Sequence, residues 1–247
     1  AVFKKANMRD GQFQSSIFTE ADLTGAFCDR IRLHMSVLKK AKLIRTSFSE
    51  ADIHMCILSG AEATGAVFRG ARLVKCVFMD ASLDDVDFSS AGIHSTLFHG
   101  GKGKNVTFAG ANMDKARMGG HAMFPEADLR NIRMKHGCFM DSDLSGAVFT
   151  GSVIDESLIE NCNLQNVQME RVSAKKTRLK GSNLENAHMR EINLFQGSLR
   201  KARLTGADLR GANLFGVDMY KATVGNTRFD GANLKLTLLH RREDLVK

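Results

Sequence analysis

The sequence predicts a solenoid, a fold of small stacked repeats, and three observations lead to it. The segment Gly206 to Gly216, Gly-Ala-Asp-Leu-Arg-Gly-Ala-Asn-Leu-Phe-Gly, spaces its leucines five residues apart, and the same count extends far beyond it. A lone helix needs apolar residues at a period near 3.6 and a lone strand at 2, so a period of five fits neither. The residue two positions ahead of each such centre is usually small, as at Ala21, Ala26, Ala202, Ala207 and Ala212, so both positions look inward. Phe48, Phe68, Phe88 and Phe108 recur at twenty residues, a spacing that would stack them in one core column. Self-similarity at a fixed period marks a repeat architecture.

Taken in order along the chain, the count from Phe3 runs through Met8, Phe13, Phe18 and Leu23 to Met123, with Cys28, Ala63 and Gly103 as its weak members. Gly103 leaves its column short of a side chain between Leu83 and Met123, so a local bulge or shallow cavity is expected there. A second run, moved in phase by one residue, goes from Leu129 through Met134, Phe139 and Leu144 to Leu239. The phase change is placed at Phe124-Pro125-Glu126, which holds the single proline of the chain, and a bulge or small loop is expected at that point. The chain thus reads as one unit over 1–247: a first register block over 1–123, a phase shift over 124–128, a second block over 129–240 and a basic tail over 241–247.

Ala-Asp-Leu at 21–23, 127–129 and 207–209, with Ala-Asn-Leu at 212–214 and 232–234, resembles the unit of the pentapeptide-repeat proteins, Ala-Asp/Asn-Leu/Phe-x-x, and the likeness extends along about the whole chain. The resemblance implies an all-β, right-handed quadrilateral β-helix with four pentapeptides, or twenty residues, in each coil. The 48 centres then make about 12 coils. At about 4.7–4.9 Å between strands, such a rod is on the order of 55–60 Å long, with each coil touching only its neighbours. The best-known members of the family resemble duplex DNA by presenting negative charge and inhibit type II topoisomerases. A narrower likeness lies in 208–216 and 238–242, which are similar to pentapeptide modules of bacterial type VI secretion accessory proteins. In that setting the module would be an adaptor or scaffold.

Composition restricts the function classes. With 43% hydrophobic and 25% charged residues, no tryptophan and no apolar run long enough to cross a bilayer, the chain is expected to be cytoplasmic, and the likeness to secretion modules implies a bacterial source. It opens at Ala1 already inside a repeat, which leads us to expect a domain excised from a longer protein. Cys28, Cys56, Cys76, Cys138 and Cys162 form no CxxC pair and four of them occupy inward positions, so free thiols in a reducing compartment are expected. No HExxH, GxSxG or GxxxxGK[ST] occurs; Gly-Gly-Lys-Gly-Lys-Asn at 100–105 lacks the spaced first glycine and the hydroxyl that would hold magnesium. His34, His54 and His94 share a face at intervals of twenty and forty, but two imidazoles without a carboxylate make a poor zinc site. No metal, cofactor or catalytic residue is expected, and the protein is read as a non-enzyme.

Two surfaces attract a binding reading. Ile17, Val37, Ile57, Val77 and Leu97 follow one another at intervals of twenty in a position that faces outward and is typically Asp or Asn in the family, so five consecutive coils share an exposed apolar column. A second copy, a flanking domain or a partner protein is expected to cover it. The second surface is basic. Residues 1–170 carry a net charge of −1 and residues 171–247 a net charge of +9. In the twenty-residue frame Lys180, Arg200 and Tyr220 form one outward column and Lys201, Lys221 and Arg241 the next, with Phe195 and Phe215 as an exposed pair on the preceding face. Such a stripe attracts an anionic partner, for which an acidic protein is the expectation and nucleic acid is not, because the aromatics are sparse and no nucleic-acid motif is present. The strongly basic last third also speaks against a DNA mimic. The reading is a non-catalytic protein-binding or scaffolding rod, with type VI secretion as its context.

Overall fold

Each five-residue unit folds alike, and Ala21-Asp22-Leu23-Thr24-Gly25 shows how. Ala21 and Leu23 are buried, Asp22 points out, and Thr24-Gly25 turns the corner. The turn is closed by the Ala26 amide donating to the Leu23 carbonyl at 2.9 Å. The Asp22 carboxylate accepts from the Thr24 amide at 3.0 Å, the local bond that suits Asp and Asn to this position. Hydrogen bonds from Thr24 hold the Asp22 carboxyl down to a pKa of about 2. The second turn residue adopts the left-handed conformation nearly everywhere, at φ +66° in Gly25 but also at +54° in Lys5 and +58° in Asp10. Glycine takes this region without steric cost, whereas a lysine does not. The strain is held because the same residue's amide reaches the next coil, as Lys5 to the Thr24 carbonyl at 3.0 Å and Glu20 to that of Lys39 at 2.9 Å.

The computed structural model describes residues 1–237, and among these it is all-β, with no helix. Four parallel ladders begin at Val2, Asn7, Gln12 and Ile17 and advance twenty residues per step. On the third ladder β1 (Gln12–Gln14), β2 (Arg32–His34), β3 (Asp52–His54), β4 (Arg72–Val74) and β5 (Gly92–His94) form one parallel sheet in chain order. On the fourth, β6 (Arg117–Met118), β7 (Cys138–Met140) and β8 (Leu158–Glu160) form another.

Two expectations are corrected. The step lengthens to twenty-one at Lys102 to Met123, Thr107 to Asp128, Asn112 to Arg133 and Arg117 to Cys138. The added residue therefore lies ahead of Pro125, in Gly119-Gly120-His121. There Gly120 (φ +58°) and His121 (φ +60°) make a consecutive left-handed pair where other turns have one such residue. Met118 and Phe124 are successive centres: Phe124 is fully buried while Met123, expected to point inward, is 44% exposed. Pro125 occupies an ordinary first turn position. The amide there makes no ladder bond, so proline is tolerated without any change of register. The gap expected at Gly103 is also closed. A Cβ there would lie 2.6 Å from Val106 Cγ2 and 2.7 Å from the Leu83 carbonyl oxygen, so neighbouring atoms already fill the column.

The core is a narrow stack. Phe48, Phe68, Phe88 and Phe108 form the expected ladder, with centroids 4.9, 5.1 and 5.1 Å apart. A second stack, Phe78 over Phe98 at 5.2 Å, meets the first edge-on: Phe68 to Phe78 is 5.8 Å at 86° and Phe88 to Phe98 is 5.7 Å at 81°. Edge-to-face contacts place the electropositive rim of one ring on the electronegative face of another. Small inward polar groups repeat a single bond. Thr46, Ser152 and Thr177 donate to the carbonyls of Leu23, Leu129 and Ile154, at 2.7, 2.7 and 2.6 Å. The Cys56 and Cys76 thiols occupy the same site toward Leu33 and Ile53, at 3.4 and 3.2 Å. All five cysteines are free, with Cys138 half-buried and the others buried. Burial pushes the thiols of Cys28, Cys76 and Cys162 up to about 12.

Candidate docking face

The alternation within each strand decides what the surface shows. Centres and the small residues before them point in, so the residue between them points out, and parallel pairing stacks that outward residue directly on its equivalent in the next coil. On the fourth ladder this produces Ile17, Val37, Ile57, Val77 and Leu97 in unbroken register. Ile17 is 79% exposed and Ile57 is also exposed, while Val37, Val77 and Leu97 are half-buried. Met35, Met55 and Met79 stand exposed beside this column at its two borders and widen the apolar strip. The count of fives passes over Met79 because it is a turn residue rather than a centre. The visible signal was an apolar residue in a slot usually filled by polar ones.

The same ladder continues through Arg117, Cys138, Leu158, Arg178 and Ser198 to Asp218. The two surfaces read separately in the sequence therefore lie end to end on one face. Lys180, Arg200 and Tyr220 stack along one border of its basic end, the amides of Gly181 and Lys201 bonding to the carbonyls of Arg200 and Tyr220 at 2.9 Å each. Lys201 and Lys221 stand exposed beside them. The Arg200 guanidinium sits 4.4 Å from the Tyr220 ring centroid and the Lys221 ammonium 5.3 Å from it. Arg241 lies outside the described residues. Phe195 and Phe215, expected to be exposed, are half-buried and stack on each other at 5.6 Å with 13° between planes. They form the opposite border, between Lys175 and Lys235.

The preceding face, formed by β1 to β5, carries a shallow trough of about 600 Å³ lined by Gln12, Gln14, Arg32, His34, Asp52, His54 and Arg72. It exists because these strands extend one residue past the centre, so two outward columns flank each inward residue. His34 and His54 stack at 5.1 Å with 2° between rings, and His94 stands beyond Val74 as the spacing implies. Among the described residues no three His, Cys, Asp or Glu side chains converge on a point that would hold a metal ion. No helix of the described residues is long and apolar enough to cross a membrane.

Four parallel ladders, five-residue edges and a core of stacked centres define a β-solenoid. The model of the Pentapeptide repeats family matches residues 16–54, 56–91, 64–100, 155–191 and 198–235, in eight copies. The chain belongs to the pentapeptide-repeat family. Among solved structures it is similar to HetL, a pentapeptide repeat protein involved in heterocyst differentiation regulation from the cyanobacterium Nostoc sp. strain PCC 7120, at 22% identity over 93% of this chain and 89% of that one, with a TM-score of 0.38. It is similar to Rfr23 from the cyanobacterium Cyanothece 51142 at 19% identity, over 47% of this chain and 89% of that one, with a TM-score of 0.38. It is also similar to full-length QnrB1, a plasmid-mediated fluoroquinolone resistance protein, at 16% identity over 90% and 93% of the two chains, with a TM-score of 0.26. A comparison with curated protein sequences gives no match.

Proposed function

We propose that the chain is a non-catalytic protein-binding or scaffolding rod of about twelve coils, working in a bacterial cytoplasm, and that it docks a partner protein or a second copy through the face headed by Ile17, Val37, Ile57, Val77 and Leu97. The observation that carries the reading is the unbroken apolar ladder with exposed methionines at its borders. Five coils span about 20 Å at the strand spacing of a sheet, and a contiguous apolar strip of that kind on a monomer marks an interaction site. An accessory role in type VI secretion is the narrower form of this reading and rests on the likeness of 208–216 and 238–242 alone. A DNA-mimic inhibitor of a type II topoisomerase is the alternative. The net charge of +9 over residues 171–247 opposes it, since mimicry needs a long acidic face.

Val37→Lys combined with Val77→Lys tests the proposal. Both side chains point away from the core, so the chain is expected to stay folded while dimerisation or partner capture is lost. Light scattering gives the mass and a pull-down gives the capture. An unaltered mass together with unaltered capture overturns the reading.

A further inference from the structure

We propose that the basic end of this same face is a recognition site for a carboxylate-rich stretch of polypeptide, contacted by lysine ammonium groups and by the edges of the aromatic rings together. The inference rests on the protein-binding reading above and names the chemistry of the partner.

The charges set the sign of the ligand. Arg178, Ser198 and Asp218 run down the middle, Lys175, Phe195, Phe215 and Lys235 along one border, and Lys180, Arg200 and Tyr220 along the other. The nearby carboxylates are already engaged: Glu160 with Arg178 at 2.8 Å, Asp218 with Arg200 at 3.6 Å and with the Tyr220 amide at 2.9 Å, and Asp155 with the Ser173 hydroxyl at 2.8 Å and the Lys175 amide at 2.9 Å. Lys175, Lys176, Lys180, Lys201, Lys221 and Lys235 make no ion pair among the described residues. The excess of free positive charge calls for an anion.

The rings decide which anion. Single-stranded nucleic acid is held by bases stacking on open aromatic faces. Here each ring already has one face covered: Phe195 and Phe215 lie against each other, and Tyr220 lies under the Arg200 guanidinium with Lys221 close by. Rings stacked coil on coil turn an edge outward, and that edge carries positive potential and attracts a carboxylate oxygen. The two arginines, whose planar forks are suited to bidentate phosphate contact, each stand beside a carboxylate, Arg178 at 2.8 Å from Glu160 and Arg200 at 3.6 Å from Asp218, and the cations without such a neighbour are lysines. From Lys175 to Lys235 the border spans three coil steps, roughly 14 Å, the length of about four extended residues. A short acidic run fits that length, whereas an oligonucleotide would find no ring with both faces open to a base.

Fluorescence anisotropy with a labelled octaglutamate peptide and a labelled eight-nucleotide oligo-dT tests the inference on the intact chain. The peptide is expected to bind more tightly than the oligonucleotide at equal salt. Lys180→Gln with Lys201→Gln and Lys221→Gln should weaken it about tenfold, by the summed worth of three exposed charges. Lys39→Gln with Lys40→Gln and Lys42→Gln, which removes equal charge elsewhere, should leave it within about twofold by the same arithmetic. Tyr220→Leu, which keeps every cation, should also weaken the peptide. Undetectable peptide binding, tighter binding of oligo-dT, or equal losses in the two lysine triples overturns the proposal. Val37→Lys with Val77→Lys should not affect the peptide, so a failure here and a failure of the apolar docking reading are told apart.

Discussion

Phe68→Asp is the most direct test of the core. Phe68 is fully buried, stacked on Phe48 at 4.9 Å and on Phe88 at 5.1 Å, and set edge-on to Phe78 at 5.8 Å. Truncating a buried phenylalanine costs about 3–5 kcal/mol, and here the loss includes three aromatic contacts. The new carboxylate has no partner among the rings and adds the cost of burying an uncompensated charge. A loss of at least about 4 kcal/mol follows, and in a chain of this size that lowers the unfolding midpoint by about 8–16 °C. Phe68→Leu, which keeps an apolar side chain at the centre but loses the ring contacts, should cost less, about 1–3 kcal/mol. Thermal unfolding followed by circular dichroism measures both. A Phe68→Asp midpoint within two degrees of the parent refutes the herringbone core.

Two further predictions come from the interior. Gly103→Leu restores the family's preferred centre, yet its side chain has no room against Val106 and Leu83, so stability should fall by about 1–3 kcal/mol in denaturant unfolding; a gain would show that the column does hold a void. Iodoacetamide at pH 8 should label half-buried Cys138 in the native protein and reach Cys28, Cys56, Cys76 and Cys162 only after denaturation, because burial raises all four thiols. Mass spectrometry of the native digest reads the order, and modification of any of these four as fast as Cys138 contradicts it.

The repeat was legible because each centre enforces the same geometry locally: an inward Leu or Phe, a small partner two residues earlier, and a turn. Phe48 to Phe108 followed from spacing alone. The second stack of Phe78 and Phe98 carries the same interval of twenty, but its edge-on meeting with the first depends on side-chain angles that spacing does not encode. The register step was misplaced because proline was taken as the sign of irregularity, when the relevant signal was Gly119-Gly120, two residues able to take unusual turns next to a sixth position. Of the docking face, both patches were visible as columns, since a column needs only arithmetic. That Leu97 passes into Arg117 and on through Cys138 to Arg178 follows from the same arithmetic, because the extra residue lies between Arg117 and Cys138 wherever in 119–126 it is placed, but the two columns had been counted in separate blocks. The aromatic borders were seen, but the occupancy of their faces is a matter of three-dimensional contact.

The twenty-one-residue step makes the chain behave like a text with a reading frame. Gain or loss of one residue in an ordinary turn would turn downstream centres outward and their polar neighbours inward, as a frameshift garbles every later codon. Addition or removal of a whole coil would keep the frame and change only the length of the rod. At Gly119-Gly120-His121 one extra letter has been absorbed and the frame recovered by Phe124, through a turn with two left-handed residues in succession. Such a chain can lengthen by duplication with little disturbance, and the positions where it accepts smaller edits are those able to form that double turn.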